Sequence, residues 1–178
     1  MLFAQAGFHE TGTNDLVAKA AVTRGALYHH FADKVELFEA VFRQVEGEFY
    51  EAANKAAAPF SGDPWKQPIF ALEAYLKLVA SNVEFQRIVL IDGPVVLGWP
   101  RWRSIQTEYL LQGFIKTLEM LIERGIIAAQ PTQPLASLIM AALDDASLSI
   151  AHSPDPHQTQ MQLTAALLSL VEGLQIRR

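Results

Sequence analysis

The chain has 178 residues, 51% of them hydrophobic and 19% charged, with no cysteine and a formal net charge of −5. That length can bury a real core, and the composition lies far from that of disordered chains. Without cysteine, disulfides and thiolate metal sites are excluded, and a cytoplasmic location is the expectation. The acidic balance excludes nucleic-acid binding by the whole surface, so any contact with phosphates must be local. No run of eighteen apolar residues occurs, because IVLIDGPVVLGW is interrupted by Asp92, Gly93 and Pro94, so no membrane span is expected.

The opening MLFAQAGF lacks the basic start and the long apolar core of a secretion signal and reads as part of the fold. Next along the chain, Thr11 is expected to cap a short helix through its hydroxyl, Leu16 and Ala20 to point inward, and Val22 to plug a turn. A second short helix starts at Thr23, buries Leu27 and Phe31, and leaves Arg24, Gly25, Tyr28 and His29 on its outer side. Two short helices joined by so tight a turn form a helix-turn-helix pattern.

Asp33 and Glu36 form a capping box that opens a long helix, with Phe38, Val41, Phe42, Val45 and Phe49 on one stripe to about residue 58. APFSGDP breaks the pattern and is the expected domain junction, with Asp63 as cap and Pro64 in the first turn of a helix reaching about residue 81. After a short helix over 84–91, DGPVVLGWP is expected to be a buried irregular loop. A helix over about 100–124 stops at Gly125. Pro134 opens another to about 152, and Asp155 with Pro156 starts the last, to about 175. No segment has β periodicity, so the chain is expected to be all-α with about nine helices.

The run TRGALYHHFADKVELF, with the small and apolar residues before it, resembles the DNA-binding domain of the TetR family of helix-turn-helix regulators, over about 2–42. The resemblance implies a DNA-binding head at 1–45 with a truncated first helix, and a larger sensing and dimerisation body at 46–178. It implies that Thr23, Arg24 and Gly25 enter the major groove of an operator, while Thr11, Tyr28, His29, His30 and Lys34 contact phosphates. Physics accords with those roles: arginine offers paired donors to guanine, and a lysine at a helix start adds charge where amides already favour anions. Glycine at 25 lets the helix approach the bases closely. Gly12, Val17 and Ala21 depart from the family's pattern, and a left-handed Ala21 would cost about 1 kcal/mol. Residues 1–34 carry three basic and three acidic side chains, an unusually neutral head.

Other readings of the same residues stand beside these. His29 and His30 lack a further ligand at helical spacing, so neither a metal nor any other cofactor is expected. His30 is read equally as a core-edge histidine. No nucleophile, phosphate loop or carboxylate pair suggests catalysis. The rival reading is a helical small-molecule-binding or interaction protein whose head does not grip DNA. A homodimer is expected through the last two long helices, whose apolar residues exceed what one monomer can bury. An apolar effector pocket is expected among Trp102, Tyr109, Phe114, Met140 and Asp144, its ligand cationic if Asp144 faces inward.

Overall fold

A computed structural model describes residues 1–176. Those residues form ten α-helices and no strand: α1 (Leu2–Glu10), α2 (Thr13–Ala20), α3 (Arg24–His30), α4 (Lys34–Ala57), α5 (Lys66–Ser81), α6 (Val83–Phe85), α7 (Gly93–Leu97), α8 (Trp99–Glu123), α9 (Thr132–Ala151) and α10 (Pro156–Glu172). The all-α expectation holds, with one helix more than anticipated. The extra one comes from DGPVVLGWP. It is not a loop: Gln86–Asp92 is a π-helical turn that runs straight into α7. Its two prolines each fall in a helical first turn, where no amide is needed, and Gly98 takes the break between α7 and α8 at φ 73°. Nor is it wholly buried, since Val95 and Trp99 are exposed.

Several ends form as the residues dictate. Asp33 accepts from the Glu36 amide at 2.8 Å while Glu36 reaches back to the Ala32 amide. Asp155 accepts from the Gln158 amide, whereas Asp63, though it accepts from the amides of Trp65 and Lys66, stands with Pro64 ahead of α5, whose cap position is Trp65. The stripe of α4 is buried at Phe38, Phe42, Val45 and Phe49. It faces a core of Leu76, Val79, Phe85, Ile88, Trp102 and Ile105. Gly93 packs closely against this core, where a Cβ would stand 2.8 Å from Phe42 and 3.0 Å from Trp102.

The head departs from expectation in three places. First, α1 breaks at Gly7 (φ 79°), where any side chain would collide with the Arg87 guanidinium, and it packs on α6 and the π-helical turn. Second, Thr11 does not cap α2. Gly12 holds that position without a side-chain bond, and the Thr11 hydroxyl is buried, donating to the Gly7 carbonyl at 2.6 Å. Third, Ala20 and Val22 are exposed; Leu16, Val17, Leu27 and Phe31 are half-buried, Leu16 packing on the core, and no residue of α2 or α3 is fully buried.

Below the Phe42 and Trp102 contact lies a polar layer. Glu46 is fully buried, and the Gln106 amide, oriented with its nitrogen toward the carboxyl, donates to both oxygens at 2.5 and 3.1 Å. Tyr75 of α5 faces the same carboxyl with Ser147 of α9 beside it; burial, and then the Glu46 charge, push the Tyr75 hydroxyl well up. Burial alone raises the Glu46 carboxyl to about 8. The longest apolar helix, α9, has the length and hydropathy of a membrane span, but its inner face is core: Ala136, Met140, Leu143, Ala146 and Ile150 are buried.

These features carry two expected outcomes. Ala21 sits at φ 54°, ψ 37°, the left-handed conformation that glycine adopts without cost. Ala21→Gly is expected to stabilise the chain by about 1 kcal/mol, read as a higher urea midpoint with unchanged m. For Glu46, the folded chain holds a proton that the unfolded chain, with its carboxyl near 4.5, releases. Stability is therefore expected to fall as pH rises from about 5 to 8, by at most about 1.4 kcal/mol per pH unit from this group. Glu46→Gln should remove that part of the slope in urea titrations at pH 5, 6, 7 and 8.

Candidate nucleic-acid interface and body cavity

The outer side of α3 carries the groove-reading candidates. Thr23 caps the helix, its Oγ1 accepting from the Ala26 amide at 3.1 Å. Arg24 lies with its guanidinium carbon 5.7 Å from the Tyr28 ring centroid. Gly25 is exposed, and an added Cβ would meet only Thr23 Oγ1, at 4.0 Å. Nothing inside the chain requires glycine there, which leaves approach by an external surface as its physical use. Tyr28 is exposed, and hydrogen bonds from Thr13 and then Arg24 hold its hydroxyl below the usual range. His29 and His30 are exposed too, so His30 does not sit at the core edge. Among the described residues no group of three or more His, Cys, Asp or Glu gathers that could hold a metal.

Two residues expected at phosphates have other partners. Thr11 is 2% exposed with its hydroxyl engaged, which withdraws it from the surface set. Lys34 is half-buried: its Nζ donates to the carbonyls of Phe8 at 2.9 Å and Thr11 at 3.1 Å, and lies 4.2 Å from the Phe8 ring centroid. It therefore closes the carboxyl end of α1 onto the start of α4. The spacing of Lys34 after the two histidines could not reveal that its reach falls on α1 carbonyls.

The head is tied to the body through the other face of α1. Asp92, at the end of the π-helical turn, accepts from the Phe8 amide at 2.7 Å and pairs with Arg87 at 3.2 Å. Between α4 and α8, Glu39 binds Arg43 and Arg101, and Arg43 also binds Glu108 at 2.6 Å. Each carboxyl is held below its usual range, Glu39 chiefly by Arg101 and Glu108 chiefly by Arg43.

Further down the body, α4, α5, α8, α9 and α10 line a partly open cavity of about 210 Å³. Its wall includes Tyr50, Trp65, Leu72, Tyr75, Phe114 and Leu121. Of the five residues expected to line an effector site, only Phe114 does so. Trp102 is wholly buried nearer the head, its indole N–H donating to the Val89 carbonyl at 2.7 Å. Tyr109 is turned toward Gly47 of α4. Met140 is buried outside the cavity wall, and Asp144 is buried in an ion pair with Arg103. Helical period alone leaves the rotation of α8 about its axis undetermined, and it gave no reason to bring in α5. One signal was available, because Glu46 stands one turn after Phe42 within the apolar stripe.

The comparisons with known proteins agree with this geometry. Residues 1–41 match the family model for bacterial regulatory proteins of the tetR family, and residues 65–174 match the tetracyclin repressor-like C-terminal domain. A TetR-family transcriptional regulator from Pectobacterium atrosepticum superposes with a TM-score of 0.86 at 36% identity, covering 99% of this chain and 89% of that one. The transcriptional regulator AcrR of Shigella flexneri is 40% identical over 63 residues, 35% of this chain and 29% of its own length. The transcriptional repressor BepR of Brucella suis is 24% identical over 149 residues, 80% of this chain and 71% of its own length. With both halves matched and the whole fold shared, the chain belongs to the TetR family of DNA-binding transcriptional regulators.

Proposed function

We propose that the chain is a homodimeric repressor whose α3 helices read a near-palindromic operator and whose cavity takes a mostly apolar effector that releases it. The observation that carries this reading is the placement of the cavity against α4, the helix whose first residue, Lys34, holds the head. Residues 1–45 act as the head and the remainder as the body. Such a protein works where the operator is, in the cytoplasm, and no catalytic step is required of it. An effector weakens DNA binding only if it fits one setting of α4 better than another, and a coupling of about 1 to 3 kcal/mol suffices.

The base-reading role falls to Arg24, with Thr23 and Gly25 at the groove, and Tyr28, His29 and His30 at phosphates. Lys34 contributes positive charge at the edge of that surface while bracing α1. The rival reading, a binding protein with an inactive head, draws support from the neutral charge of residues 1–34 and the internal use of Lys34. Electrophoretic mobility shift on the DNA flanking the chain's own gene separates the two. Arg24→Ala is expected to weaken binding by about 1 to 3 kcal/mol and to relax the preference at one operator position. Unchanged affinity and unchanged base preference would remove Arg24 from the role.

Dimerisation is assigned to α9 and α10. Leu138, Met161 and Leu170 are 69–70% exposed, and Leu135, Leu138, Ile139, Ala142, Leu167 and Leu170 line an apolar groove between the two helices. Two such surfaces pair across a two-fold axis as a four-helix bundle. Leu138→Arg with Leu170→Arg is expected to convert a dimer to a folded monomer by sedimentation at micromolar concentration, with helical circular dichroism retained. A wild-type monomer in the same run would refute the assignment.

A further inference from the structure

The buried carboxyl of Glu46 has no use in the scheme above. Four neighbouring carboxylates in this half of the molecule each have an arginine: Glu39 has Arg43 and Arg101, Glu108 has Arg43, Asp92 has Arg87 and Asp144 has Arg103. Glu46, at 0% exposure the most deeply buried of the five, has none among the described residues. Its one hydrogen-bonding partner there is the neutral Gln106 amide. A carboxylate away from water is stable only beside a positive charge, and without one it keeps its proton.

The position of Glu46 says where the missing charge comes from. Each member of the polar layer is one helical turn from a residue that lines the cavity: Glu46 from Tyr50 on α4, Gln106 from Leu110 on α8, and Ser147 from Leu143 on α9. Tyr75 belongs to both, lining the cavity and facing Glu46. The layer thus lies one turn beyond the head-side end of the cavity lining, joined to it through Tyr75, with Gln106 bonded to Glu46. The rest of the lining is chiefly aliphatic and aromatic, so a ligand would bury an apolar body there and reach the layer with one polar end.

We infer that the effector is a hydrophobic amine, whose ammonium group displaces Gln106 from Glu46 and forms the ion pair that the fold leaves open. The inference rests on the proposed reading of the cavity as the effector site. It also moves the acidic role from Asp144, whose charge Arg103 already meets, to Glu46. A neutral hydroxyl gains little by comparison, because it would only exchange one neutral partner, the Gln106 amide, for another. The ligand enters as the ammonium ion, Glu46 gives up its carboxyl proton to the solvent, and the pair that remains is neutral overall. Among the described residues no other ionisable side chain intervenes, since Tyr75 stays protonated and Arg103 stays on Asp144. Displacing Gln106 would also loosen a bond between α4 and α8, on the side of the cavity toward the head.

Isothermal titration calorimetry on the full chain at pH 7 tests this with 1-naphthylmethylamine and 1-naphthylmethanol, which share a two-ring body and differ in the ammonium group. The amine is expected to bind at least tenfold more tightly. Its apparent enthalpy should differ between phosphate and Tris buffers as release of close to one proton requires. Glu46→Gln should erase both the preference and the proton release while still binding the alcohol. Equal affinity of amine and alcohol for the unaltered chain overturns the inference and leaves the cavity reading intact. So does amine binding without proton release, a readout that needs no variant to fold. Binding of neither compound overturns the cavity reading, and the amine preference with it.

Discussion

The approach of α4 to the π-helical turn is the contact on which the rest of the molecule depends. Phe42 and Trp102 close on Gly93 so tightly that a single methyl group there would overlap the Phe42 ring. The Trp102 indole is fixed by its bond to the Val89 carbonyl, and a close-packed interior of this kind transmits a shift in one element to its neighbours. Above that contact stand the three small helices of the head, and below it lie the polar layer and the cavity. A π-helical turn suits such a joint, because its wider hydrogen-bond spacing carries an extra residue through a helix and re-aims the next segment of chain. Here it delivers Asp92 to the amide of Phe8 and Gly93 to the rings.

The head is held from two directions. Asp92 grips α1 from the body, and Lys34 grips its last carbonyls from α4. By contrast, α2 and α3 bury no residue fully and are set mainly by a few half-buried apolar contacts and by the left-handed turn at Ala21. Low local burial makes a segment easy to displace, whatever its intrinsic helix propensity. A reading surface built this way can be re-aimed by small movements of α1 and α4, a property a regulator needs and a structural protein would avoid.

Charge is distributed by the same logic. The α4 and α8 ion pairs lie at the surface, where each is worth little by itself, so their role is alignment more than stability. Inside, the molecule places Asp144 against Arg103 and leaves Glu46 with an amide. Among the described residues the wall helices α4 and α9 therefore carry two buried carboxyls of different kind, Asp144 set against a guanidinium and Glu46 met by an amide.

Much of this organisation is legible in the residues themselves. Periodicity and capping located the long helices, since Asp33 with Glu36, Asp63 and Asp155 act on amides two or three residues away and need no distant partner. The outward face of α3 follows from Leu27 and Phe31 at i and i+4, and the motif around it carries the family. The family's usual turn glycine at the place of Ala21 marked where the backbone is left-handed. What local chemistry could not supply was any contact between residues far apart in the chain: Lys34 reaching α1, Asp92 reaching Phe8, Arg103 consuming the charge of Asp144, or α5 entering the cavity wall. DGPVVLGWP became helical because both prolines fall in first turns, a register that only packing against α4 and α8 selects. The sequence alone determined which segments are helices and which face of the head is polar, because those properties depend on neighbours within one or two turns. The cavity, the polar layer and the partner of each buried charge were decided by tertiary structure, because they depend on how each helix is rotated against the next.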